Sequence, residues 1–422
     1  MACYASYSII LIHLCTSVVV VASFGNDLIR PKFSSILVFG DSTVDTGNNN
    51  YIKTLAKGNH FPYGKDFPGH VPTGRFSNGK LVPDFIASVL NLKNTVPPFL
   101  HPNLSDEDLL TGVSFASGGS GFDDLTTALT GAIAVSQQIE YFKVYVGRLK
   151  AIAGEHEAKQ ILRDSLVIIS AGTNDFLLNF YDISTRKLEF NIDGYQDFVQ
   201  SRLQIFMKEL YDLGCRKFAV SGLPCIGCIP IQITKSGKIK DRKCVEDENS
   251  DAKLYNRKLT RLLPKIQAML PGSKVVYTDI YYTLINLINQ PQKYGFKETN
   301  KGCCGTGLFE VTPLCNEFTS TCDDPSNVDN SDLEEDEQEV LSLQEQLRVE
   351  KDLRVVLERN PVNGKLATKT TKNPTKGKSA KVKMKSVKEK IKSDKEKIKS
   401  VKEKNKSTME IEDCSGREKK KI

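Results

Sequence analysis

Apolar residues fall along this chain in two alternating rhythms. Five short apolar or β-branched runs recur between positions 36 and 279: Ile36–Phe39, Val113–Ala116, Ser165–Ala171, Lys217–Ser221 and Lys274–Asp279. Between them stand longer stretches with helical periodicity, among them Leu81–Leu90, Ala134–Ile152, Tyr195–Leu213 and Asp251–Met269. The short runs predict buried strands and the periodic stretches predict amphipathic helices. Strands alternating with helices form βαβ units and therefore a parallel sheet. In such sheets ligands bind beyond the carboxyl ends of the strands, so polar motifs at those ends carry the functional reading.

Three motifs fall there. Gly40-Asp41-Ser42 follows the first run, Ser117-Gly118-Gly119-Ser120-Gly121 the second, and Gly172-Thr173-Asn174-Asp175 the third. Singly, each is more commonly a plain turn or a helix cap. On three consecutive strand ends they read as one site. Acyl transfer needs a nucleophile and donors aimed at the oxygen that becomes negative. Ser42 supplies a hydroxyl and a backbone N–H, glycine at 119 lets backbone approach with no Cβ in the way, and the Asn174 amide donates without bringing a charge.

Composition divides the chain into unequal parts. Ser8–Ala22 is an apolar run of 15 residues, shorter than the roughly 20 that span a bilayer. It suits a secretory signal over residues 1–24, although no Lys or Arg precedes it. Residues 30–323 have the composition of a globular domain large enough for one core. Residues 323–359 carry a net charge of −9 and residues 361–422 a net of +13, against +7 for the whole chain. The basic balance thus belongs to the tail and says little about the body. Of eleven cysteines, Cys228, Cys244, Cys303, Cys304, Cys315 and Cys322 read as disulfide material. The last four lack the paired spacing of a zinc ribbon, so disulfides are expected there rather than a zinc site. Cys225 and Cys228 make a C-x-x-C within a Pro- and Gly-rich turn, where a redox role is not expected. Asn103-Leu104-Ser105 is a glycosylation acceptor, in keeping with secretion.

The body resembles a plant-type GDSL lipase/esterase of the SGNH hydrolase superfamily. The likeness rests on Phe39-Gly40-Asp41-Ser42 with Asp45-Thr46-Gly47-Asn48-Asn49-Asn50, on Pro72-Thr73-Gly74-Arg75-Phe76-Ser77-Asn78-Gly79, and on Phe115-Ala116-Ser117-Gly118-Gly119. Gly172-Thr173-Asn174-Asp175 and Gly302-Cys303-Cys304-Gly305-Thr306-Gly307 complete it. The resemblance implies a flavodoxin-like three-layer α/β/α fold with a central five-stranded parallel sheet, no cofactor, and secretion. It makes Ser42 the nucleophile, with Ser42 N–H, Gly119 N–H and the Asn174 amide as oxyanion hole; Gly118 is the alternative to Gly119. Its substrates would be carboxylic esters, either lipids or acylated cell-wall components. Three departures are small: Thr43 in place of Leu, Ser114 in place of Asn, and Cys225 in place of Pro, which leaves a thiol without an evident partner.

A fourth departure is large. The resemblance implies an Asp-x-x-His-Pro segment soon after Cys322 and a closing helix beyond it. Here the text passes instead into Asp323-Asp324-Pro325-Ser326 and an acidic run, and the last histidine of the chain is His156. Acidic residues 323, 324 and 329 do not replace a base. His60, His70 and His101 lie in the long connection after the first strand, and His156 sits in a charged helix end. Hydrolysis is therefore expected to be nearly absent while acyl ligands still bind. The alternatives are a non-catalytic acyl- or polysaccharide-binding protein and an interaction protein built on the tail. Loss of the closing helix is also expected to uncover the sheet near its last strand.

In the tail, residues 324–360 form an acidic segment with a flawed heptad over 333–357. It is similar to the leucine-zipper segment of plant ternary-complex-factor-like proteins and predicts self-association. Residues 361–422 are rich in lysine, with three near-identical heptads starting at Ser386, Ser393 and Ser400, and are expected to be disordered or transiently helical. For a secreted protein the matching anionic partner is a polysaccharide or a membrane surface rather than nucleic acid.

Overall fold

A computed structural model describes residues 33–304 apart from 239, together with 308, 315 and 318–321. The predicted signal, the Cys322–Asp323 junction, the heptad segment and the Lys-rich tail lie outside the described residues. All described residues belong to the first of two compact units, Met1–Asp332.

The first apolar run becomes strand β1 (Ile36–Gly40), with all five residues buried. Helices α1 (Val82–Val89), α2 (Asp106–Thr111) and α3 (Asp124–Thr130) occupy the long connection after it, and α4 (Val135–Asp164) leads back to β2 (Leu166–Ser170). A π-helical stretch over Asp175–Asp182 precedes α5 (Ile192–Asp212) and β3 (Lys217–Ser221). Then α6 (Pro230–Lys235) and α7 (Glu246–Met269) lead to β4 (Lys274–Thr278), followed by α8 (Tyr281–Asn289).

The four strands among the described residues are parallel, in the order β1-β2-β3-β4. Five had been expected. The run Val113–Ala116 does lie along the free edge of β1: Val38 N–H donates to Val113 O (3.1 Å), and Phe115 N–H donates to Val38 O (2.7 Å). It makes isolated bridges rather than a full strand. On its far side the run meets Pro97 and Pro98, and prolines have no N–H to extend a ladder. Counted with this run, the sheet order is the flavodoxin-like 2-1-3-4-5.

The helices follow the predicted periodicity but not every predicted end. α5 starts at Ile192, because the Asn191 side chain caps the Gly194 N–H at 2.8 Å. α7 starts at Glu246 with three acidic residues in its first turn, where they complement the helix dipole. The range of α4 covers two helical stretches joined by a kink at Gly154 (φ 80°, ψ 162°), the second running on to Asp164. Phe39, Phe115 and Phe142 anchor α4 to the sheet, Phe39 and Phe115 being stacked at 4.9 Å between centroids. Burying each such ring contributes about 1.5–3 kcal/mol.

β1 and β2 are wholly buried, whereas no residue of β4 is. The neighbouring α8 exposes Tyr282 and Leu284. The Sγ atoms of Cys228 and Cys244 lie at 2.14 Å and those of Cys304 and Cys315 at 2.12 Å. Cys215 and Cys225 are free and buried, so Cys228 turns away from its C-x-x-C neighbour.

Candidate active site

β1 ends on Gly40 at φ 142°, where a Cβ would stand 1.8 Å from Ser170 O; only glycine fits so close to β2. The Gly40 carbonyl accepts from Ser117 N–H (3.0 Å), Ser120 Oγ (2.7 Å) and Gln138 Nε2 (2.8 Å). Its own N–H donates to Gln138 Oε1 at 2.9 Å. In the turn that follows, Asp41 N–H donates to Ser170 O, Thr43 N–H to Asp41 Oδ1 and Val44 N–H to Asp41 O. Ser42, half-buried among them, has neither an acceptor for its N–H nor a partner for its hydroxyl among the described residues.

The second loop repeats this arrangement. Gly118 N–H donates to Asp45 Oδ2 at 2.9 Å and Ser120 N–H to Ser117 O at 3.1 Å. Between them the Gly119 N–H has no acceptor among the described residues. Asn49 Nδ2 donates to Gly118 O at 2.9 Å and so fixes the plane of the 118–119 peptide. Of the two candidate glycines, Gly118 has its N–H engaged and a Cβ there would meet Phe76 at 2.2 Å, while Gly119 sits at φ 90°.

On the third loop, Asn174 Nδ2 donates to Ser120 O at 2.9 Å. A carbonyl only accepts, so the amide must present its nitrogen there, and the second N–H stays unclaimed among the described residues. The loops are thereby tied in series, Gly40 to Ser120 and Ser120 to Asn174. The next residue, Asp175, is fully buried and accepts from Phe122 N–H, Asp123 N–H and Thr126 Oγ1. Burial pushes its carboxyl up to about 7, against the lowering pull of those donors. Burial also raises Asp41 to about 6. Thr43, the departure beside Ser42, donates its hydroxyl to Asp41 Oδ1 (2.7 Å) and meets Ser170 Oγ at 3.0 Å. Its single proton is spent on Asp41, so Ser170 is the donor in the second contact.

No described histidine joins this group. The ring nitrogens of His60 face Phe61 O (2.9 Å) and Lys57 O (3.1 Å), and His70 Nδ1 faces Lys65 O at 2.7 Å. His101 Nδ1 accepts from Asn103 N–H, and its ring packs on Tyr51. His156 is exposed on α4.

Much of what holds the site stands in motifs quoted from the sequence without a role assigned to the individual residues. Asp45 accepts from Gly47, Asn48 and Gly118 N–H groups. Asn48 Nδ2 donates to Ser114 O and Ala116 O, both at 2.8 Å. Arg75 grips Asp84 with Nε–Oδ2 and Nη2–Oδ1 contacts of 2.9 Å and donates from Nη1 to Thr46 O. Ser120 and Gln138 are fully buried. The signal was present as a dense polar run immediately after Ser42, in a region too buried to be a solvated loop.

Residues 36–329 match the family model described as GDSL-like Lipase/Acylhydrolase. An Arabidopsis thaliana protein named a GDSL esterase/lipase is 56% identical over 304 residues, covering 72% of this chain and 85% of its own length. Another of the same name and organism is 55% identical over 300 residues, covering 71% of this chain and 84% of its own length.

Proposed function

The chain belongs to the GDSL-like lipase/acylhydrolase family, hydrolases acting on ester bonds, and from that premise we propose that Ser42 is its nucleophile. The Ser42 oxygen adds to the carbonyl carbon of an acyl ester, the hydroxyl proton passing to water or to added imidazole and the C=O π pair moving onto the carbonyl oxygen. The resulting oxyanion is met by Ser42 N–H, Gly119 N–H and the second Asn174 amide proton. The observation that carries this reading is that all three donors are unclaimed among the described residues, while the N–H groups flanking Ser42 and Gly119 are engaged.

The same reading makes turnover slow. A serine hydroxyl needs a base within about 2.6–3.2 Å, and no described imidazole is bonded to Ser42. In a well-studied triad, losing the base costs on the order of 10⁶ in turnover, while hole and binding keep about 10³–10⁴ over water. Aryl acetate hydrolysis by the full chain tests this, with Ser42→Ala and added imidazole as the two controls. Slow hydrolysis that needs Ser42 and rises with imidazole is expected. Rates equal in Ser42→Ala overturn the nucleophile; full enzyme rates without imidazole overturn the missing base. If the chain binds acyl compounds and turns none over, it acts as an acyl-binding protein.

Secretion belongs to the same proposal. It is supported by the apolar run at Ser8–Ala22 and by the exposed Asn103 of the glycosylation acceptor.

A further inference from the structure

We propose that Ser120 and Gln138 are positioning residues that hold the three oxyanion donors in one frame; the inference rests on the reading of Ser42, Gly119 and Asn174 given above. Its starting point is the Gly40 carbonyl, one residue before the Asp41-Ser42 step. A carbonyl has two lone pairs, and this one faces three donors. Ser117 N–H already satisfies it as the continuation of the pairing along β1. The other two donors, Ser120 Oγ at 2.7 Å and Gln138 Nε2 at 2.8 Å, come from fully buried side chains and exceed what folding requires of one backbone oxygen.

Each of the two residues spans parts that the backbone does not join. Ser120 reaches β1 through its hydroxyl, keeps its own loop closed through its N–H to Ser117 O, and takes the Asn174 amide on its carbonyl. It is also the direct neighbour of Gly119. One residue therefore touches all three loops. Gln138, in the first turns of α4, binds both the N–H and the C=O of Gly40, as a neighbouring strand would. Its Nε2 lies 3.4 Å from Ser120 Oγ. Loss of either side chain leaves the donors present but free to diverge, and donors acting on a developing charge depend steeply on placement.

The experiment uses the full chain and an arylboronic acid. Boron accepts the Ser42 oxygen, the hydroxyl proton leaves to water, and the tetrahedral boronate carries the negative charge of the oxyanion. Affinity is read by titration, and the Asn174 side-chain amide is followed by ¹⁵N–¹H NMR. Wild type is expected to bind in a Ser42-dependent way and to shift the Asn174 amide. Ser120→Ala and Gln138→Met, each assayed well below its own Tm, should bind at least about tenfold more weakly and leave that amide signal unmoved; Ser120→Thr, which keeps the hydroxyl, should recover affinity. Wild-type affinity in both Ser120→Ala and Gln138→Met overturns the inference while leaving the site reading intact. Wild type that binds no boronate, or binds it equally as Ser42→Ala, overturns the site reading and the inference with it.

Discussion

Replacing Arg75 by Met is the most demanding test of how the sequence supports this site. The Arg75 side chain is 5% exposed and that of Asp84 0%, so water screens neither charge. Arg75 holds Asp84 by two parallel bonds of 2.9 Å, and its remaining donors go to Thr46 O (3.2 Å), Thr73 Oγ1 (3.1 Å) and Val96 O (3.0 Å). Methionine fills similar space but supplies no donor. Asp84 would keep the N–H groups of Leu81 and Val96 and lose its counter-charge. Breaking a buried pair by removing one partner costs about 3–5 kcal/mol, and the stranded Thr46 and Val96 carbonyls add to it. A loss of about 4–5 kcal/mol corresponds to roughly 10 °C in Tm for a body of this size.

Urea titration of wild type, Arg75→Met, Arg75→Lys and the double variant Arg75→Met/Asp84→Leu measures it. Arg75→Lys should recover part of the loss, since an ammonium cannot reproduce the fork. The double variant should be more stable than Arg75→Met, because the cost lies in the unpaired charge and not in the absence of the pair. Thr46 follows Asp45, whose carboxylate takes the Gly118 N–H, so the Met variant should also bind boronate more weakly than wild type. Arg75→Met within 1 kcal/mol of wild type would refute the reasoning, as would a double variant no better than the single.

Asn174→Ala should lower Ser42-dependent turnover in the presence of imidazole by about 10²–10³; an unchanged rate would remove Asn174 from the hole. Asp175 titrates near 7 when folded against 3.8 when exposed. Its contribution to stability is full below about 4 and lost as pH rises through 7, so Asp175 alone should raise denaturant stability by about 2–3 kcal/mol from pH 7.5 to 5. Asp41, raised to about 6, acts in the same direction, whereas the lowered Asp123 and Asp164 act only below about 4; a flat profile over that window would contradict the assignment. The Cys225 thiol is buried and pushed up to about 11, so it and Cys215 should resist a thiol reagent until the chain is unfolded; prompt modification would show that either is reachable.

The strands and helices were legible because β1, β2 and β3 are short runs between amphipathic helices, and period alone separates the two. The partial status of Val113–Ala116 was not legible, since it depends on what the run meets on its far side, namely Pro97 and Pro98. The three strand-end loops could be read because glycine and asparagine cluster there. Which glycine of the pair has a free N–H could not, because that is decided by Asp45, a carboxylate 73 residues away from Gly118. Gln138 was hidden for the same reason: a glutamine in a helix reads as a surface residue until the helix is docked on the sheet, and the bridging role of Ser120, itself part of the second loop, depends on that docking.

That division bears on the proposed lack of a base beside Ser42. The bonds that fix the Ser42 turn, the Gly118–Gly119 peptide and the Asn174 amide come from Gly40, Asp45, Asn49, Ser117, Ser120, Gln138 and Ser170. All of them lie between β1 and the end of β2. None depends on the stretch beyond Cys322, where family resemblance places the histidine. If Ser42, Gly119 and Asn174 act as proposed, donor geometry and proton acceptance come from separate stretches of chain, and losing the second would leave the first mechanically intact. A boronate bound through Ser42, together with hydrolysis that waits on added imidazole, is what such a separation requires.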